Sequence, residues 1–216
     1  MGSAGDRRRQ RLGQARLYLV CGPESTRLLP AVLAAGVDIV QLRAKDASDA
    51  QVLEAAEAFR GGADEAGALF VLNDRPDLAV SADADGVHLG QDDMAVDEAR
   101  SVVGGERLIG LSTHGPAQLD AAEGVDYVAV GPVHATPTKP GRPAIGLEPL
   151  RYAAEHARVP WFAIGGLDGR NVGDAVAAGA RRVVVVRAIT EAADPVGSVR
   201  ELRAALDRRE ATVGTA

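Results

Sequence analysis

The stretch Ala34-Ala35-Gly36-Val37-Asp38-Ile39-Val40-Gln41-Leu42-Arg43-Ala44-Lys45-Asp46 holds a helix end, a glycine stop, a short apolar run and a polar strand end in succession. A glycine at that stop supplies the left-handed backbone that closes a helix. Glu123-Gly124-Val125-Asp126 and Ala177-Ala178-Gly179-Ala180 repeat the arrangement, each just ahead of another apolar run. Such runs occur at Leu17 to Val20, Ile39 to Leu42, Leu69 to Leu72, Gly86 to Leu89, Leu108 to Leu111, Tyr127 to Val130, Trp161 to Ile164 and Val183 to Val186. Between most of them lie Ala-rich segments with helical spacing, among them Asp49 to Ala63, Val96 to Val103, Pro116 to Glu123, Leu147 to His156 and Asn171 to Ala178. Continuous apolar strands alternating with amphipathic helices predict a parallel sheet covered on its outer side. Eight such units at a spacing near twenty-odd residues predict an α/β fold, a single (β/α)8 TIM barrel, with an open doubly wound sheet as the runner-up.

The 216 residues include 25 Gly, 11 Pro and few aromatics (3 Phe, 3 Tyr, 1 Trp), and 46% are hydrophobic, enough for one buried core. No linker or low-complexity block divides them, so one domain is expected over 17–207. Residues 1–16 are rich in arginine and glycine without an apolar segment and read as a flexible leader, and 208–216 as a flexible tail. The lone Cys21 gives no sign of an oxidising compartment, so the cytoplasm is the default. No stretch approaches the roughly 20 apolar residues of a membrane helix. A net charge of −6 argues against non-specific nucleic-acid binding, although a local basic cluster could hold a phosphorylated small molecule. A homo-oligomer is compatible with the sequence, which does not fix the oligomeric state.

In a barrel of this kind the chemistry belongs to the C-terminal strand ends. After the second run, alternation points Gln41, Arg43 and Lys45 to one side, a set suited to a polyanion, against the alternative of solvated loop charges. Asn73-Asp74-Arg75 follows the third run, and Gln91-Asp92-Asp93 the fourth. Carboxylates at neighbouring strand ends can share Mg²⁺ with a substrate phosphate, whereas a single Asp there more often caps the next helix. After the fifth run a hydroxyl of Ser112 or Thr113, ahead of His114, could bond a ligand, although Ser and Thr also start helices. The long loop Val133 to Arg142 carries Thr136, Thr138 and Lys139 between prolines, which place them in advance at an anion, so it is expected to clamp a phosphate and to order when one binds. Gly165-Gly166 after the seventh run and Arg187 after the eighth occupy the usual phosphate site of this fold. No zinc spacing, nucleophile elbow, dinucleotide fingerprint or Walker sequence occurs.

Five of these motifs, in order, resemble the thiamine-phosphate synthase family between about Leu17 and Pro195: Gln41-Leu42-Arg43-Ala44-Lys45, Asn73-Asp74, Gly86-Val87-His88-Leu89-Gly90-Gln91-Asp92-Asp93, Thr136-Pro137-Thr138-Lys139 and Ala163-Ile164-Gly165-Gly166. The resemblance implies an enzyme that joins 4-amino-2-methyl-5-hydroxymethylpyrimidine diphosphate to a thiazole phosphate, free or carboxylated, giving thiamine phosphate and pyrophosphate. It implies Mg²⁺ on Asp74 and Asp93, with Asp92 as their neighbour. Gln41, Leu42, Arg43, Ala44, Lys45, Asn73 and Lys139 would hold the pyrimidine diphosphate, and Ser112 would touch the pyrimidine. Thr136, Pro137, Thr138 and Gly166, with the main chain of Val186 and Arg187, would hold the thiazole phosphate. Members of the family often carry Ser where this chain has Arg187. Arg43, Lys45, Lys139 and Ser112 form the implied catalytic set, because charge grows on the departing diphosphate while the thiazole nitrogen needs no base. The electron-rich aminopyrimidine can support a cation, which suits a dissociative path. A thiazole tautomerase-like isomerase would have no use for the diphosphate groups, and a non-catalytic phosphate sensor would not need both carboxylates.

Overall fold

The structure, a computed structural model, describes residues 2–136 and 143–213, of which 208–213 by their backbone alone. Eight parallel strands close in sequence order: β1 (Leu17–Cys21), β2 (Ile39–Leu42), β3 (Leu69–Asn73), β4 (Gly86–Leu89), β5 (Leu108–Thr113), β6 (Tyr127–Val130), β7 (Trp161–Ile164) and β8 (Val183–Val185). β8 pairs with β1 in the register Leu17 to Val183, which completes the (β/α)8 barrel and excludes the open sheet. α1 (Ala4–Gln14) lies at the N-terminal rim, and outside lie α2 (Leu29–Ala34), α3 (Asp49–Ala66), α4 (Pro76–Ser81), α5 (Val96–Val103), α6 (Pro116–Asp120), α7 (Glu148–His156), α8 (Val172–Ala177), α9 (Arg187–Thr190) and α10 (Pro195–Val213).

Alternation along each strand divides the core in two. Leu17, Leu19, Val40, Leu42, Phe70, Leu72, Val87 and Leu89 pack outward under the helices. Tyr18, Val20, Ile39, Leu69, Val71, Leu108, Tyr127, Phe162 and Val184 fill the interior, where Tyr18, Tyr127 and Phe162 meet edge to face with ring centroids 5.5–6.0 Å apart. The three cap glycines, Gly36, Gly124 and Gly179, all have positive φ.

A second repeat, at the N-terminal rim, pins the strands. The residue before β2, β4 and β6 is Asp38, Asp85 and Asp126, and each carboxylate accepts a backbone amide of the preceding odd strand: Leu17, Phe70 and Ile109 at 2.8–2.9 Å. Arginines complete each clamp: Arg203 on Asp38, Arg8 and Arg60 on Asp85, Arg9 and Arg100 on Asp126. Charge-assisted bonds to these amides fix register at the rim opposite the strand ends where barrels of this kind carry their chemistry. Before β8 the position is Arg182, which donates to Gly13 O at 2.7 Å instead.

That rim corrects the expectation for residues 1–16. They form α1, opened by a capping box between Ser3 and Asp6, with Leu12 only 2% exposed among the interior side chains. The arginines that suggest a solvated leader are held by Asp85, Asp126 and the carbonyls of Gly67 and Ala68, partners distant in sequence. At the other end the helical backbone of α10 runs to Val213, past the expected boundary at 207. Among the described residues no helix is long and apolar enough to cross a membrane.

Candidate active site

The ends of β2, β3, β4 and β5 enclose a polar cavity of about 220 Å³ lined by Arg43, Lys45, Asn73, Asp74, His88, Gly90, Gln91, Asp92, Asp93 and Ser112. Asp74 takes φ +62°, a left-handed conformation that Asp tolerates better than most residues, and its amide donates to His88 O at 2.9 Å. Its carboxylate lies 2.9 Å from Lys45 Nζ. Asp93 accepts from the Gly90 amide at 2.6 Å. Burial, together with the Asp74 carboxylate hydrogen-bonded beside it, pushes the Asp93 carboxyl above its usual range, against the pull of the Gly90 amide and Lys45. Neither Asp92 nor Asp93 caps α5, whose N-cap is Ala95 without a side-chain bond, so helix capping is not their role. Ser112 and Thr113 likewise leave the start of α6 to Gly115.

Beside it, the ends of β5 to β8 enclose a second cavity of about 310 Å³, lined by Thr136, Gly165, Gly166, Val186 and Arg187 among others. Ser112 borders both cavities. The chain turns sharply here: Gly165 has φ +107°, and a Cβ on it would lie 2.4 Å from Pro132 Cα, so only glycine lets the β6 and β7 loops approach. His134 N donates to Gly165 O at 3.0 Å, and Asn171 Nδ2 to Gly166 O at 2.8 Å, fixing the turn from both sides. Three charged groups not singled out from the sequence, Asp168, Arg170 and Glu191, stand on this cavity's wall. Arg170 pairs with Asp168 at 2.6 Å, and Arg187 Nη1 lies 3.7 Å from Glu191.

Not every expected residue reaches a cavity. Leu42 is fully buried in the outer core and Ala44 packs against that core, so their side chains belong to packing. Gln41 is 3% exposed inside the barrel, below Arg43 and Lys45, and donates to Tyr18 Oη at 2.5 Å. It stands there because its position on β2 shares the inward parity of Ile39. Pro137, Thr138 and Lys139 lie outside the described residues. Cys21 is buried, and burial pushes its thiol up to about 12, which removes it as a nucleophile near neutral pH.

Five further side chains, to which the motifs assign no role, join the site: His88, Tyr18, Tyr127, Gln91 and His114. His88 Nε2 lies 3.0 Å from Ser112 Oγ, and His88 Nδ1 3.2 Å from Tyr127 Oη. Gln91 Nε2 donates to Ser112 O at 2.6 Å, and His114 Nδ1 to Gly131 O at 2.5 Å. Burial pushes the phenols of Tyr18 and Tyr127 well above their usual range, which keeps both neutral. Their inward strand parity was the available signal, since period two alone places Tyr18, His88 and Ser112 inside.

The chain is 52% identical over 205 residues to the thiamine-phosphate synthase of Thermobifida fusca, covering 90% of this chain and 94% of that protein. It is 49% identical over 208 residues to the thiamine-phosphate synthase of Nostoc punctiforme, covering 94% of this chain but 59% of that protein, so it spans about three-fifths of the length of such relatives. In three dimensions it matches a thiamine phosphate pyrophosphorylase from Pyrococcus furiosus with TM-score 0.83 and 30% identity, over 93% of this chain and 98% of that one. A 3-hexulose-6-phosphate synthase, at TM-score 0.63 and 24% identity over 88% of this chain and 99% of that one, shares the barrel alone. The profile of the family described as thiamine monophosphate synthase matches residues 17–189. With that match running from β1 into α9, and with such similarity over nine-tenths of its length, the chain belongs to the thiamine monophosphate synthase family.

Proposed function

We propose that the protein condenses 4-amino-2-methyl-5-hydroxymethylpyrimidine diphosphate with 4-methyl-5-(2-phosphoethyl)thiazole, giving thiamine phosphate and pyrophosphate. The observation that carries this reading is the pair of adjoining cavities that share Ser112. One combines two cations with three carboxylates, and the other is glycine-bordered beside Thr136. A single-substrate isomerase would leave the first without a purpose.

In the reaction the C–O bond between the pyrimidine CH₂ and the diphosphate breaks, its electron pair leaving with the diphosphate, and a C–N bond forms from the thiazole nitrogen lone pair. Arg43 and Lys45 bind the diphosphate and stabilise the charge that grows on it as the bond breaks. Lys139, by the family resemblance, adds a third cation. Thr136, Gly166 and the main chain at Val186 and Arg187 anchor the thiazole phosphate, so that its nitrogen faces the CH₂ across Ser112.

Asp74 and Asp93 suit Mg²⁺: they are two hard oxygen donors side by side, each disfavouring the charge of the other, so a shared cation would take the place of a shared proton. When bound there, Mg²⁺ would neutralise diphosphate charge as a Lewis acid. We place the reaction in the cytoplasm, in line with a single buried, unpaired cysteine.

Separate binding titrations test the division of labour. Replacing Arg43 and Lys45 together by Ala should weaken the pyrimidine diphosphate at least tenfold and leave thiazole phosphate binding within about twofold, while Thr136→Val does the reverse. Equal losses for both ligands in both variants would contradict two separate subsites.

A further inference from the structure

A file of polar side chains crosses the barrel interior beneath the two cavities. Gln41 Nε2 lies 2.5 Å from Tyr18 Oη, which lies 2.9 Å from Tyr127 Oη. Tyr127 Oη lies 3.2 Å from His88 Nδ1, and His88 Nε2 lies 3.0 Å from Ser112 Oγ. All five side chains are at most 7% exposed. Gly110 makes room for the middle of the file, because a Cβ there would fall 2.0 Å from the Tyr127 ring. The file spends five interior positions on polar groups where apolar packing would serve stability, and it ends on Ser112, which among the described residues alone borders both cavities.

Donor and acceptor capacity gives the file a direction. An amide nitrogen only donates, so Tyr18 Oη accepts from Gln41; its own proton then needs an acceptor, and Tyr127 Oη at 2.9 Å is the partner that can take it. Tyr127 then donates to His88 Nδ1, which makes that nitrogen the bare acceptor and puts the imidazole proton on Nε2. His88 Nε2–H donates to Ser112 Oγ, and the serine proton points onward. We propose that His88 is a positioning residue, held as the Nε2–H tautomer by the file that begins at Gln41, so that Ser112 donates its hydrogen bond to a lone-pair atom of the ligand where the cavities meet. The identity of that ligand rests on the function proposed above, under which an aminopyrimidine ring nitrogen is such an atom; the direction of the file does not. With the Gln41 amide turned over, the same contacts would run backwards, placing the proton on Nδ1 and making Ser112 an acceptor.

The two senses differ in an observable that needs no turnover. Two-bond proton–nitrogen correlation spectra of the ¹⁵N-labelled full chain report which His88 nitrogen carries the proton. The expected result is Nε2 protonated and Nδ1 bare in the wild type. Tyr18→Phe keeps the ring and cuts the file, and Gln41→Leu removes its first donor; each should populate both tautomers. A wild-type Nδ1–H form, or an unchanged pure Nε2–H form in both variants, would overturn the proposal. Kinetics give a second readout: Tyr18→Phe should raise KM for the pyrimidine diphosphate about 3- to 10-fold with kcat within about twofold, and should have no further effect in a Ser112→Ala background. An undiminished effect in that background would show that the file acts elsewhere and would also overturn the proposal. A chain with the expected tautomer but no thiamine phosphate formation would contradict the function alone.

Discussion

Replacing Asp85 by Ala should be among the most damaging single changes available far from the chemistry. The carboxylate is 6% exposed and holds three donors: the Phe70 amide, Arg8 Nε and Arg60 Nη1, each at 2.9 Å. Loss of the acceptor leaves the buried Phe70 amide unpaired, at about 1–3 kcal/mol. Breaking a buried ion pair by removing one partner costs about 3–5 kcal/mol, but Arg8 and Arg60 are each 17% exposed and Arg60 also meets Asp64, so part of that is recovered. A net loss of about 3–5 kcal/mol follows, which for a chain of this size lowers Tm by roughly 6–20 °C. Asp85→Asn keeps an acceptor for the amide and should lose about half as much.

The pH dependence has a definite sign. Burial would raise the Asp85 carboxyl, but the bonds from Arg8, the Phe70 amide and Arg60 together hold it below the usual range. A folded-state value depressed below the unfolded one gives stability that is fully present above the unfolded pKa, about 3.9, and is lost as pH falls through the folded value. The gap between wild type and Asp85→Asn should therefore be constant from pH 8 to about 5 and close below about pH 4. Urea unfolding at several pH values measures it. A loss under about 1 kcal/mol for Asp85→Ala at pH 7, or a gap that widens in acid, would refute the clamp.

Three further outcomes follow from the site. Chelation should abolish activity and added Mg²⁺ restore it, because under the proposed function two carboxylates would hold the cation weakly without substrate oxygens; full turnover in metal-stripped buffer would contradict this. Lys139→Ala should lower kcat by about 10²-fold or more with a smaller effect on KM, whereas Asp93→Ala should recover part of its activity as Mg²⁺ is raised. Equal rescue of the two variants in a Mg²⁺ titration would show the diphosphate to be misplaced. Gly165→Ala should cost more than about 2 kcal/mol in thermal unfolding and weaken thiazole phosphate binding, since the new methyl meets backbone at Pro132 from an unfavourable φ; wild-type behaviour in both assays would contradict the close approach.

The barrel was legible because its strands are locally written. The expected Ile39–Leu42, Gly86–Leu89, Tyr127–Val130 and Trp161–Ile164 are the observed β2, β4, β6 and β7, since β-branched runs between glycine stops admit little else. α1 was not legible, because an arginine-rich segment with little apolar surface folds only through Asp85, Asp126 and Glu106, about a hundred residues away. In the site, the cluster of Arg43, Lys45, Asp74 and Asp93 could be foreseen from strand ends alone. Gln41 looked like its continuation and shares the parity of Arg43 and Lys45, yet it sits within β2 and so lies deeper in the barrel, away from the rim. The partners that explain it, Tyr18, Tyr127 and His88, are spread over three other strands and look like ordinary core positions one at a time.

The central claim is that both substrates meet in one site and exchange a C–O bond for a C–N bond. A ³¹P NMR time course of the full chain with both substrates and Mg²⁺ tests it most directly, with each substrate alone as the reference. The account predicts that pyrophosphate and thiamine phosphate appear together, one for one, only when both substrates are present. Release of pyrophosphate without thiamine phosphate, or conversion of the thiazole phosphate in the absence of the pyrimidine diphosphate, would contradict it.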